Sequence, residues 1–287
     1  MKKFFFKVIF TTVFFLISAY TMSQNNVYLD ENGEKISFID FKKKCGNQLF
    51  KCLTYTKDSI ALSQVLYKYK FGKISSQEYE QLRKLIFKDA GINIQSDQVI
   101  VFKKYDSLFS YEREIELHNK HKKQNQKMKA EVDSLNRLSS KKKKYPYELD
   151  DFNKDVFDEI VSQWTIDVNE CIDKYEEKFN LKMVFFHMDQ PSLETKYENF
   201  SWFKDRGVLQ DIFFKYGKLH HTLILKPDGE YFLAGGYFKT YYYKSLLRNE
   251  DWSKHKRDYQ KALSREYPDG KGIFRFDYNY HQFKYCF

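Results

Sequence analysis

The stretch from Leu219 to Phe238, LHHTLILKPDGEYFLAGGYF, constrains the fold of this chain more than any other. Two short β-prone runs, Thr222–Leu225 and Tyr231–Ala234, flank Pro227-Asp228-Gly229. Proline pre-sets φ and glycine accepts a positive φ, so the segment predicts a tight β-hairpin. Gly235-Gly236 then ends the second strand, where no side chain can crowd a neighbouring element.

The elements before the hairpin alternate. Val99–Phe102 is a compact β-branched run that reads as a buried strand. Glu112 to Leu138 follows as a long charged helix with a sparse stripe of Ile115, Leu117, Met128, Val132, Leu135 and Leu138. Ser139-Ser140, the run Lys141, Lys142, Lys143, Lys144 and then Pro146 break it. Phe152 to Phe179 predicts a second helix, with one apolar face through Phe152, Val156, Ile160, Trp164, Val168, Ile172, Tyr175 and Phe179. Asp150 or Asp151 is placed to cap its start. Lys182–His187 then reads as a strand ended by Gln190-Pro191, Phe200 to Tyr216 as a helix stopped by Gly217, and Tyr241 to Leu247 as the helix after the hairpin.

Upstream, Asn25 to Phe41, with Tyr28–Asp30 and an Asn32-Gly33 turn, reads as a short hairpin or a strand and turn leading into a basic helix start. Ser75-x-x-Glu78 is a capping box, followed at helical spacing by Tyr79, Leu82, Leu85 and Ile86 and stopped by Gly91. This part, residues 24–95, reads as a small αβ extension without recognisable chemistry.

The N-terminus has the layout of an export signal. Lys2-Lys3 form a positive region, Val8–Ile17 an apolar one, and Thr21-Met22-Ser23 offers small residues for cleavage. The apolar run is short for the ~30 Å of a bilayer core. Residues 1–23 are therefore expected to be a signal peptide cleaved near Ser23-Gln24, with an uncleaved anchor as the alternative. The protein is expected in the periplasm or cell envelope. The formal charge of +10 falls by three to +7 once Lys2, Lys3 and Lys7 are set aside. Basicity of that size suits solubility or weak attraction to anionic surfaces and argues against nucleic acid as a partner. Peripheral membrane contact through Lys141–Lys144 and an envelope protein as partner are the remaining possibilities, beside a solvated lysine loop.

In an exported chain disulfides persist. Cys45 and Cys52 are the closest pair of the four cysteines. On a continuous helix their Cα atoms would lie ~10 Å apart, out of bridging range. A bridge therefore needs a turn at Gly46-Asn47; otherwise both are small buried side chains. Cys171 falls on or beside the apolar helix face and reads as core.

The order strand, long helix, strand, helix, hairpin, helix resembles the thioredoxin-like fold over roughly Val99 to Leu247. HTLILKPDGEYFLAGGYF is similar to the late hairpin of secreted redoxins, and the whole layout to exported proteins of Bacteroidota whose role is not established. The resemblance implies an α/β, three-layer sandwich at residues 96–250, with a helical insertion at about 105–180 and a C-terminal helix and aromatic strand at 251–287. It also implies a Cys-x-x-Cys after the first core strand, where a helix N-terminus lowers a thiol's pKa. The matching stretch is Ser107-Leu108-Phe109-Ser110, and the place of the family's cis-proline holds His221. A hydroxyl cannot exchange disulfides. The expectation is a non-catalytic thioredoxin-like protein, needing no cofactor. The alternatives are a thiol-disulfide oxidoreductase using Cys45 and Cys52, or a binder of anionic lipid or polysaccharide.

His220-His221 with His187 and Asp189 invites a metal reading. Adjacent strand residues point to opposite faces, so only one of the pair can join a site, and a metal needs three or four ligands. His118 and His121 lack an identifiable third ligand. There is no Gly-rich phosphate loop, nucleophile elbow or HExxH. After a basic helix from Trp252 to Leu263 and Pro268-Asp269-Gly270, the residues Phe274, Phe276, Tyr278 and Tyr280 alternate with polar ones and predict a strand with one aromatic face. The helical middle of the chain excludes an outer-membrane barrel.

Overall fold

The computed structural model describes residues 25–57, 60–105, 110–146, 149–188, 200–216, 219–235, 240–248, 250–264 and 269–275. In chain order its elements are β1 (Asn25–Leu29), α1 (Phe38–Cys45), β2 (Phe50–Lys57), β3 (Ile60–Tyr67), β4 (Tyr69–Lys73), α2 (Ser76–Ala90), β5 (Val99–Lys104) and α3 (Tyr111–Leu138). There follow α4 (Lys154–Phe179), β6 (Leu181–His187), β7 (Trp202–Lys204), α5 (Val208–Ile212), β8 (His220–Leu225), β9 (Glu230–Gly235), α6 (Thr240–Arg248) and α7 (Ser253–Leu263). The fold is mixed α/β, in two compact units. One is built from the described residues of Met1–Lys70 and Asp251–Asn279, the other from those of Phe71–Glu250.

The first unit holds a three-stranded sheet in the order β1-β3-β2, with β1 parallel and β2 antiparallel to β3. Ser37 caps α1 by accepting from the Asp40 amide, and Asp30 accepts from Asn32 and Glu34 in the turn before it. Phe41, Phe50 and Val65 form the core, joined by Tyr28, Ile36, Cys45, Cys52, Tyr67 and Leu263. Leu263 comes from α7, so the far end of the chain completes this unit. Tyr259 on α7 donates to the Tyr69 carbonyl and packs its ring 4.7 Å from Phe274. Burial pushes the Tyr259 phenol well above its ordinary pKa.

The second unit is organised around a six-stranded sheet in the order β4-β9-β8-β5-β6-β7. β5, β6 and β7 run parallel, while β8 is antiparallel to both β5 and β9. The β5–β6 connection passes through α3 and α4, and only a long crossover of this kind can return a strand in parallel. One sheet face carries Ile100, Phe102, Val184, Phe186, Phe203, Leu223 and Leu225 against Tyr79, Leu82 and Ile86 of α2 and Leu209 of α5. On the other, Phe185 stacks on Phe200 at 4.7 Å, and Phe200 meets Trp164 of α4 at 5.8 Å. Helices thus cover both faces, which explains why β5 and β6 read as near-continuous apolar runs.

The hairpin forms as expected, with Gly229 at φ +82. A Cβ there would collide with the Ile74 carbonyl, so glycine is required twice over. Beyond the hairpin, β4 flanks β9 and forms that edge of the sheet. Gly72 of β4 lies under the Tyr231 ring, in space a Cβ would occupy. The capping box at Ser75 and Glu78 and the left-handed Gly91 stop bound α2 as expected. Tyr79, Leu82 and Ile86 enter the core of the second unit, although their sequence position is in the N-terminal extension.

Several expectations are corrected. Phe200 to Tyr216 is not one helix: Trp202–Lys204 pairs with β6 and only Val208–Ile212 is helical. The cause is local. The buried Asp205 carboxylate accepts the Leu209 and Gln210 amides, at 3.0 and 2.9 Å, and Gly207 turns at φ +107. Helix α4 is capped by Asn153, which accepts from the Val156 amide, and not by Asp150 or Asp151. Its buried residues are Phe157, Val168, Cys171 and Tyr175, whereas Ile160 is exposed, so the inward face is rotated from the expected stripe. Strands β2, β3 and β4 have no counterpart in the sequence reading. Phe274 sits in a 3-10 turn (Gly272–Phe274) instead of beginning a strand, because Gly270 and Gly272 both take positive φ. Residues 1–24, Ser107, Asp189, Gln190-Pro191, Gly217, Gly236, Cys286 and the proposed strand from Phe276 onward lie outside the described residues.

Candidate functional site

In the second unit, β5 ends and β8 begins at the same end of the sheet, because the two strands are antiparallel. Of the residues that the resemblance marked, Ser107 lies outside the described residues, Ser110 opens the helix that follows β5, and His221 lies at the start of β8. Ser110 is the N-cap of α3, its hydroxyl accepting from the Arg113 amide at 3.2 Å. His221 lies at an irregularity of β8, where the pairing with β9 shifts between His220 and Thr222. A bulge of this kind re-aims one side chain. His220 is buried and His221 half-buried, so the two imidazoles do not share an environment.

The residue that sequence reasoning missed is Lys103. Register pairs it with Phe185 on one side and Thr222 on the other, and paired residues project from the same face. Its ammonium donates to Thr222 Oγ1 at 3.1 Å. Lys103 as a residue is half-buried, but its ammonium is enclosed by protein, and desolvation pushes its pKa down to about 7. Beside it stands an aromatic wall. Tyr105 lies 5.9 Å from Phe185 and 5.8 Å from Trp202, and Trp202 lies 5.8 Å from the buried His187. The arrangement is a hydrogen-bonded amine of near-neutral pKa next to aromatic rings. The only sequence signal for it was a lysine directly after an apolar strand core.

Along β7 an open groove of about 750 Å³ is lined by Asp89, Gly91, Ile92, Phe200, Trp202 and Lys204, among others. Asp89 faces Arg206 at 3.8 Å. The groove mixes Ile92, Phe200 and Trp202 with charges of both signs, which suits binding better than bond-making.

Cys45 and Cys52 belong to the first unit and form a disulfide, with Cα atoms 5.6 Å apart. Cys45 is the last residue of α1 and Cys52 the third of β2, so the turn that such a bridge demanded is present, with Gly46 as C-cap. Both pack against the core of that unit. A helix C-terminus disfavours a thiolate, opposite to the N-terminal setting of a redox thiol. Cys171, read as core, is buried and also disulfide-bonded. Among the described residues no cysteine is free.

His118 stacks on Phe152 at 5.3 Å, while His121 is exposed one turn on. Among the described residues no three His, Cys, Asp or Glu side chains converge as metal ligands, and Asp189 lies outside them. No described helix is long and apolar enough to cross a membrane. No protein-family model matches this chain, and no curated protein or solved structure matches it either.

Proposed function

We propose that this chain is an exported, non-catalytic thioredoxin-like protein with a binding or structural role in the cell envelope. Strand order supports the thioredoxin-like part. Two parallel strands, β5 and β6, are joined by a helical crossover, and a hairpin then sets β8 antiparallel beside β5, followed by α6. The observation that carries the non-catalytic part is Ser110. At the start of the helix after β5, at the second position of the matching stretch, where an oxidoreductase would keep its resolving thiol, a hydroxyl accepts from a backbone amide. The disulfide Cys45–Cys52 supports the same reading, since it joins a helix end to a strand in the core of the other unit. The groove along β7 is the concavity in which a binding role would be exercised.

Insulin reduction with dithiothreitol as electron source tests this. The wild type is expected to show no turnover above background. Turnover that disappears in a Cys45→Ser, Cys52→Ser double variant would establish the oxidoreductase alternative. Export is tested separately by intact mass of protein from the native envelope, expected to begin near Gln24. A full-length mass retained on membranes through a carbonate wash would make the protein an anchored one.

A further inference from the structure

Helix α3 buries no residue, although it runs for 28. It is a basic arm. Between Lys120 and Lys144 ten cationic side chains stand against two carboxylates, Glu131 and Asp133. The helix end and the lysine run form one constructed tip. The Asn136 side chain accepts from the Lys143 amide at 2.6 Å and donates to the Lys143 carbonyl at 3.1 Å. Tyr145 donates to Asp133 at 2.9 Å, and its ring lies beneath the Lys129 ammonium at 5.8 Å. These contacts fold Lys141–Lys144 back on the last turns of α3 and engage one of the two carboxylates there. Lys141 to Lys144 are all exposed.

The same tip exposes apolar side chains: Leu138 is 86% exposed, Met128 45% and Leu135 44%. A soluble anionic polymer would be satisfied by the cations alone. Exposed leucines at the same helix end as exposed lysines match an interface in which the charges meet headgroups and the apolar groups enter the acyl boundary.

We propose that the tip of the α3 arm, Leu135, Leu138 and Lys141–Lys144 with Arg137, is a docking surface for an anionic lipid bilayer. It does not rest on the thioredoxin-like reading, because no cysteine or sheet residue takes part. Each lysine near an anionic surface contributes about fivefold in affinity, so losing four weakens binding by about six hundredfold.

The test uses protein from Gln24 to Phe287, which retains every described element, and vesicle co-sedimentation. Vesicles of phosphatidylcholine with 30% phosphatidylglycerol are compared with pure phosphatidylcholine, at low and high salt. The wild type is expected to bind only the anionic vesicles, and less as salt rises. Replacing Lys141–Lys144 by serine is expected to abolish binding. The Leu135→Ser, Leu138→Ser pair, with charge intact, is expected to weaken it about tenfold. Circular dichroism melts matching the wild type confirm folding; the substituted side chains are exposed, so no change is expected. If the lysine variant binds as the wild type does, the proposal is overturned. If dextran sulfate binds and vesicles do not, or the leucine pair leaves vesicle affinity unchanged, the surface is a polyanion site and the bilayer assignment is overturned.

Discussion

Lys103 shows how one residue's environment reaches a measurable property of the whole chain. An unfolded lysine titrates near pH ~10.4, whereas enclosure lowers this ammonium to about 7. Between those values the unfolded chain binds the extra proton, so stability rises with pH from about 7 to about 10 and is lost again on acidification through the folded pKa. Tyr79 and Tyr175 act in the opposite sense. Burial raises both phenols to about 12, so above pH ~10 the unfolded chain ionises first and stability falls. Urea midpoints measured across this range should pass through a maximum near pH 10. Lys103→Met is expected to flatten the rising limb and to stabilise the protein near pH 7, by on the order of 2 kcal/mol after allowing for the residue's partial exposure. An unchanged limb would mean that the ammonium is solvated. The strand β5 could be read from sequence, but this role could not. It depends on Thr222 and Phe185, which are distant in the chain and adjacent only through pairing.

Elements that carry their own stop signals were legible. Ser75 with Glu78, Gly91 and the Pro227-Asp228-Gly229 turn act through bonds within a few residues, so neighbours could not override them. The disulfide Cys45–Cys52 is a second local device, closing a seven-residue separation between α1 and β2. Chain-entropy arguments give a loop this short about 2.5 kcal/mol. A Cys45→Ser, Cys52→Ser variant should lose roughly that amount, read from the chemical unfolding of the first unit by hydrogen exchange in β2 and β3. Exchange unaltered there would show that the bridge constrains nothing beyond its own turn. The strands β2 and β3 escaped the sequence reading for a related reason. Most of β2 faces solvent, and β3 buries Ala61 and Ser63 while exposing Ile60, so hydropathy alternates cleanly in neither. Segment 200–216 misled in the opposite direction: its apolar spacing suits a helix, yet Trp202 and Phe203 serve opposite faces of a sheet edge.

At the scale of the whole molecule, the chain's order and its units do not coincide. The first unit takes α7 from beyond the second, and Tyr259 and Leu263 complete its core. A chain ended at Glu250 should therefore lose this unit's cooperative unfolding and become cleavable by trypsin at Lys51 and Lys57 in β2. Protection of β2 equal to the full chain's would refute the shared core. The aromatic richness of the sequence finds its use at this scale, in the Tyr105, Trp164, Phe185, Phe200 and Trp202 wall over one sheet face. Residues from four separate segments meet there, and no short window of sequence contains that grouping.

What the amino-acid sequence determined by itself were features whose energetics are local: the hairpin turn, the capping box and glycine stop of α2, the long charged helix and the buried central strands. Tertiary structure alone decided which strand shelters β9, which face of α4 turns inward, where α7 belongs and that Lys103 sits enclosed. Those outcomes depend on burial against partners far along the chain. Desolvation and packing are properties of the assembled neighbourhood, and a residue's own sequence context does not carry them.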